Sequence, residues 1–166
     1  MGFLKGKTAI ITGGGRSVLK DGSCGSIGYG IATAYAKEGA NLVITGRNKQ
    51  KLADAKEELE RLYNIEVLPV QADVSAGADN ETVVQNVIDE TIAKFGRIDV
   101  LINNAQASAS GVAANEWGPD GINANIICPL AWTAQLENFQ QAYPEAFEAN
   151  VKMPPAGHYG DVEKEI

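Results

Sequence analysis

The 166 residues, 45% hydrophobic and 21% charged, are enough to bury one core and too few for two ordinary domains. A formal charge of −7 excludes general nucleic-acid binding, which needs a basic surface, but leaves room for a small anion held by local backbone dipoles. No apolar run has membrane-spanning length, and Cys24 and Cys128 stand apart without C-x-x-C spacing, so a soluble, reduced, cytoplasmic chain is expected.

Met1 to Lys7 holds no apolar stretch of signal-peptide length, and Gly6 occupies the place where a myristoylation motif wants Ser or Thr. Thr8–Thr12 then reads as a buried strand ending at Gly13-Gly14-Gly15. After a polar insertion, Ser26–Glu38 carries Ile27, Ile31, Ala34 and Tyr35 at helical spacing, with Gly39 as the stop. Leu42–Thr45 is a second strand. Asn48 caps a helix through Leu62 that presents Leu52, Ala55, Leu59 and Leu62 on one face. Val67–Val70 is a third strand, placed at an edge by Pro69. Glu81–Phe95 repeats the helical period through Val84, Val87, Ile88, Ile92 and Phe95, stops at Gly96, and leads to a fourth strand at Val100–Ile102. Further on, Ile122–Ile127 reads as a strand, while Leu136–Ala142 and Pro144–Val151 read as short helices. Strands alternating with helices predict an α/β fold: a doubly wound, Rossmann-type parallel sheet with helices on both faces.

Two features point to a nucleotide. Glycines after a strand let the backbone approach a diphosphate, and the next helix start offers free N–H groups and a favourable dipole. Gly13, Gly14 and Gly15 with the helix opening at Ser26-Ile27-Gly28 have this form, although residues 16–25 lengthen the usual turn. At the end of the second strand, an acid would select NAD by its ribose hydroxyls, whereas an arginine accommodates a 2′-phosphate. The residues there are Thr45-Gly46-Arg47-Asn48, so Arg47, with Asn48 beside it, predicts NADP(H). His158 is the sole histidine and has no partner by spacing, so no metal is expected. Trp117 and Trp132 read as packing residues, Trp132 being the better candidate for a ligand wall.

Thr12-Gly13 with Ser26-Ile27-Gly28, Asp73-Val74, Asn103-Asn104-Ala105-Gln106, Glu116-Trp117-Gly118 through Asn125, and Cys128-Pro129-Leu130 together resemble the short-chain dehydrogenase/reductase family. The resemblance implies that Asp73 and Val74 contact adenine. It also implies that Asn104 and Ala105, with Gln106 where the family has Gly, line the ribose and phosphate side, and that Trp132 and Thr133 lie near nicotinamide. Asn103–Gly111 and Cys128–Leu136 resemble the bacterial 12α-hydroxysteroid dehydrogenases, which act on bile acids, and the Ser26-Ile27 helix start is similar to that of enoyl reductases. A small alcohol or ketone substrate, a steroid among the candidates, and a homo-oligomer, a tetramer or dimer, are what the resemblance implies.

The chemistry of that family needs a tyrosine as acid/base, a lysine four residues later that lowers its pKa, and a serine that polarises the carbonyl. Four positions after Tyr29, Tyr35, Tyr63, Tyr143 and Tyr159 stand Thr33, Gly39, Val67, Phe147 and Glu163, so no catalytic residue can be assigned. The gap falls between Gly111 and Val112, dividing a single domain into a nucleotide-binding half, 1–111, and a substrate-side remnant, 112–166. Two explanations stand: an active-site segment left out of a longer enzyme, or a true internal deletion leaving a non-catalytic nucleotide binder. By the same resemblance, Ile166 falls before the position of the family's last helix and strand.

Overall fold

A computed structural model describes residues 2–74, 79–105, 131–151, 154 and 157–162. The elements alternate as expected: β1 (Thr8–Thr12), α1 (Ile27–Lys37), β2 (Asn41–Gly46), α2 (Lys49–Tyr63), β3 (Val67–Gln71), α3 (Asn80–Phe95) and β4 (Val100–Ile102). Two short helices follow, α4 (Ala134–Ala142) and α5 (Pro144–Asn150). The strands form one parallel sheet in the order β3-β2-β1-β4. Pro69 sits opposite Ile44 on the edge strand β3, where a missing N–H is tolerated. Trp117, Gln106, the expected strand at 122–127 and the 111/112 junction lie outside the described residues.

Side chains alternate across the sheet and divide the core in two. Ile11, Leu42, Ile44 and Val67 pack with Ala32 and Ala36 of α1 and with Leu52, Ala55 and Leu59 of α2. Ile10, Val43 and Val70 point the other way and meet Val87 of α3. Helices therefore cover both faces, as a doubly wound sheet requires. Helix ends follow their punctuation: Asn48 caps α2, and Gly96 closes α3 in the left-handed region with φ of 71°.

Two apolar faces differ from the sequence expectation. Leu62 is 49% exposed, and Tyr63 and Ile65 close the end of the α2 face instead. On α3 the buried positions are Val87 and Thr91, flanked by half-buried Val83 and Phe95, while Val84 and Ile92 are exposed. The stripe rotates onto Thr91 because its hydroxyl donates to the Val87 carbonyl at 2.6 Å, so burying it leaves no polar group unsatisfied. At the other sheet edge, Leu101 pairs in register with Ile10 yet is 51% exposed, whereas Ile10 is buried.

Asp99 fastens the entry of β4 to the entry of β1. Its carboxylate accepts from Arg97 Nε at 2.7 Å, the Thr8 N–H at 2.9 Å and Lys7 Nζ at 3.1 Å, and its own N–H donates to the Thr8 carbonyl. The bond from Arg97, then that from the Thr8 N–H, holds the carboxyl well below the usual carboxylate range. Because the folded state depresses this pKa, the stability it contributes is present above the unfolded value of about 4 and is lost as pH falls through the folded one. Acid unfolding followed by circular dichroism should therefore have a shallower low-pH limb in Asp99→Asn; an identical limb would exclude Asp99 as a contributor.

Candidate functional site

In the parallel order β3-β2-β1-β4 the sense in which strands are added reverses between β1 and β4, and ligands of open α/β sheets bind outside the carboxyl ends of strands at such a switch point. Thr12 sets the geometry of this crevice. Its hydroxyl accepts the N–H groups of Asn104 at 3.0 Å and Ala105 at 2.9 Å and donates to the Ile102 carbonyl at 3.3 Å. The Asn104 side-chain amide donates to the carbonyl of Thr12 at 2.9 Å and also reaches that of Gly13 at 3.4 Å. The ends of β1 and β4 are thus latched through one hydroxyl and one amide, and the Asn104 side chain is engaged in holding the crevice.

The glycines divide their labour. A Cβ on Gly28 would lie 2.2 Å from the Gly13 carbonyl oxygen and 2.5 Å from Asn104 Nδ2, and Gly13 itself needs φ of 71°. Gly28 therefore lets the first turn of α1 lie directly against the end of β1, and Gly13 turns the chain out of that strand in the left-handed region. Gly14 and Gly15, read from the sequence as part of the phosphate approach, serve packing. A Cβ on Gly14 would meet Ile44 Cγ2 at 2.8 Å, and one on Gly15 would meet Lys51 Cβ at 3.2 Å.

Ser26 stands at the N-cap of α1 in extended backbone, but its side chain accepts no first-turn N–H. Its hydroxyl donates instead to the Gly15 carbonyl at 2.7 Å, so it ties down the glycine loop and leaves the helix end without a side-chain cap. Ile27 is half-buried against the main core. Between Gly15 and Ser26 the insertion forms a small hairpin: Val18 bridges Cys24, and the Gly25 N–H donates to the Ser17 carbonyl at 2.8 Å.

Arg47 and Asn48 follow the carboxyl end of β2, and Asp73 and Val74 that of β3. Arg47 is exposed and has no ion-pair partner among the described residues, and its carbonyl accepts from the Gln71 side chain at 3.0 Å. Asn48 Oδ1 accepts the Lys51 N–H at 3.0 Å, so its side chain serves the cap of α2. Asp73 and Val74 follow β3 and are half-buried, Val74 packing under the second core. Thr133 caps α4 by accepting the Leu136 N–H at 3.2 Å, and the next N–H, of Ala134, donates to the Gly25 carbonyl at 2.8 Å. This bond brings the carboxyl-terminal segment up to the start of α1. Beyond it, Trp132 makes ring contacts with Phe147 and Tyr159 and lines a cavity of about 450 Å³ with them, Gln140, Val151 and His158.

Sequence reasoning missed the hub role of Thr12 and the cluster formed by Arg16, Glu58 and Tyr29. Arg16 pairs with Glu58 of α2, and its guanidinium lies 6.0 Å from the centre of the Tyr29 ring. Burial first, then the Glu58 carboxylate, pushes the Tyr29 phenol well above its ordinary value. An arginine directly after a glycine run was the available signal. Among the described residues no group of three or more His, Cys, Asp or Glu side chains could hold a metal, and no helix is long and apolar enough to cross a membrane.

Comparison with known proteins bears on this geometry. The family model described as short chain dehydrogenase matches residues 7–113. A 12α-hydroxysteroid dehydrogenase from a Clostridium species is 44% identical over an alignment covering 100% of this chain and 88% of that enzyme. The alignment runs over 236 positions for 166 residues, so 70 positions (236 − 166) face no residue of this chain. The L-sorbose reductase of Gluconobacter frateurii, solved with NADPH and L-sorbose, matches with a TM-score of 0.54 and 32% identity over 64% of this chain and 36% of its own. A further structure of that reductase superposes on 96% of this chain and 86% of its own with a TM-score of 0.70 at 20% identity, a likeness of fold. An NAD+-bound xylitol dehydrogenase matches with a TM-score of 0.52 and 27% identity over 63% of this chain and 35% of its own. The chain thus spans between about a third and just under half of the length of the first solved relatives it matches above 25% identity. With residues 7–113 matched by the family and a relative 44% identical along the whole chain, this protein belongs to the short-chain dehydrogenase family.

Proposed function

We propose that these residues form the NADP(H)-binding part of an oxidoreductase that interconverts a secondary alcohol and a ketone on a steroid of the bile-acid type. The start of α1, which Ser26 leaves without a side-chain cap and Gly28 lets lie directly against the Gly13 turn, carries the reading: N–H groups that no capping side chain covers suit a diphosphate. The residues present fit the cofactor. Gly13, Ser26 and Ile27 would hold the diphosphate side, Asn104, Ala105 and Gln106 the ribose wall, and Asp73 and Val74 the adenine. Arg47, with Asn48 beside it, would meet the 2′-phosphate, and Thr133 the nicotinamide side. When bound, the nicotinamide supplies or accepts hydride at the alcohol carbon.

The 44% identity to a 12α-hydroxysteroid dehydrogenase supports the steroid, and the aromatic cavity beside Trp132 suits an apolar ligand. The preference for the phosphorylated cofactor rests on Arg47, since solved relatives hold either NADPH or NAD+. In this reading the domain divides at 111/112, where the family match ends nearby at residue 113, and the 70 unmatched positions correspond to the segment with the tyrosine, lysine and serine. The 166 residues by themselves therefore bind cofactor without turning it over. A cytoplasmic location and assembly with further copies of the chain complete the proposal.

Titration with NADPH and NADH tests it. Arg47→Ala should weaken NADPH about tenfold, the scale of one charge-assisted phosphate contact, and leave NADH unchanged; equal wild-type affinity for the two cofactors defeats the Arg47 assignment. The 166-residue chain should not oxidise a 12α-hydroxy bile acid with NADP+. Insertion of the relative's unmatched active-site segment between Gly111 and Val112 should create that activity, and a folded, cofactor-binding chimera that does not act on the steroid would overturn the substrate assignment.

A further inference from the structure

Arg16 is the first residue after the glycine run, and it is held at both ends. Its N–H donates to the Lys51 carbonyl at 2.9 Å, and its guanidinium pairs with Glu58 and lies over Tyr29, a residue of the first turns of α1. Tyr29 is 4% exposed, so the cluster is rooted in the core between α1 and α2. One further link joins this loop to α2, from Lys51 Nζ to Ser17 Oγ at 2.8 Å. The three partners of Arg16 thus belong to α2, for Lys51 and Glu58, and to the start of α1, for Tyr29.

We propose that Glu58 is a positioning residue for the dinucleotide diphosphate, acting through Arg16 to hold the glycine loop against α1 and α2. The inference rests on the nucleotide reading above and extends it to a residue distant from the crevice. Arg16 is engaged with a carboxylate and a ring between two helices, and the loop it fastens is the one placed against the diphosphate, so its contribution falls on the part of the ligand that NADH and NADPH share. This separates it from Arg47, whose contribution falls on the 2′-phosphate.

Dissociation constants for both dinucleotides, with amide exchange across residues 13–25, test the proposal in wild type, Glu58→Gln and the charge-swapped pair Arg16→Glu/Glu58→Arg. Lys56→Gln, which breaks the Lys56–Glu60 pair elsewhere on α2, is the control. Glu58→Gln should weaken NADH and NADPH alike by about threefold, the scale of a partly exposed ion pair, and speed exchange in the loop. The swapped pair should recover most of the loss. Lys56→Gln should shift thermal stability without changing either constant. Unchanged affinities in Glu58→Gln, a loss confined to NADPH, no recovery in the swap, or an equal loss in the Lys56 control would each overturn the proposal. Wild-type protein that binds neither dinucleotide would overturn the nucleotide reading itself, and this inference with it.

Discussion

Gly28→Ala is expected to abolish measurable dinucleotide binding and to destabilise the fold by about 1–3 kcal/mol, the cost of forcing a methyl into occupied space. The added carbon would meet the Gly13 carbonyl oxygen at 2.2 Å and the Asn104 amide at 2.5 Å. The first of these is backbone and cannot rotate aside. Relief would require α1 to move away from the end of β1, and that movement would open the latch between β1 and β4. Gly46→Ala provides the contrast, because its Cβ would come no nearer than 3.6 Å to Leu52. Calorimetric titration and thermal unfolding of both variants decide the matter. A Gly28→Ala protein that binds NADPH as wild type does would show that the crevice is elsewhere.

Thr12→Val should cost about 2–4 kcal/mol, because it removes one acceptor from two backbone donors at once and an unsatisfied buried donor costs about 1–3 kcal/mol. Thr12 is 7% exposed, so water can replace the hydroxyl only poorly. Valine keeps the shape, which confines the loss to the bonds from Asn104 and Ala105 and the bond to Ile102. Thr12→Ser should restore most of the stability. Urea denaturation measures both, and a Thr12→Val midpoint equal to wild type would mean that the two N–H groups find other partners.

The layout of the sheet was legible because it depends on local signals: apolar runs of strand length, a helix period between them, and Gly39, Asn48 and Gly96 at the ends. Pro69 even placed β3 at the edge. What escaped the reading depends on contacts between distant segments. Asn104 looked like a wall of the ribose site, but its amide reaches back across 92 residues to the Thr12 carbonyl. Gly14 and Gly15 looked alike beside Gly13, and only the approach of Ile44 and Lys51 separates their work from that of Gly13. Thr91 was passed over as polar, since nothing in a periodicity count shows that a hydroxyl can satisfy itself on its own helix. Arg47 needed no such contact: its place after β2 follows from strand length alone.

The hairpin of residues 16–25 lengthens the turn that a dinucleotide fold needs, and its fastenings give that length a purpose. On one side Ser17 meets Lys51 of α2; on the other the Gly25 carbonyl meets Ala134, and the Lys20 N–H donates to Glu137 at 3.2 Å. The insertion is a tie rod between the helix after β2 and the aromatic lobe, two parts of the chain that share no strand. Doubling a loop's length raises its closure cost by only about 0.6 kcal/mol, less than one or two such fastenings return. Residues 16–25 thereby join α2 to the lobe around Trp132 through a few residues of backbone.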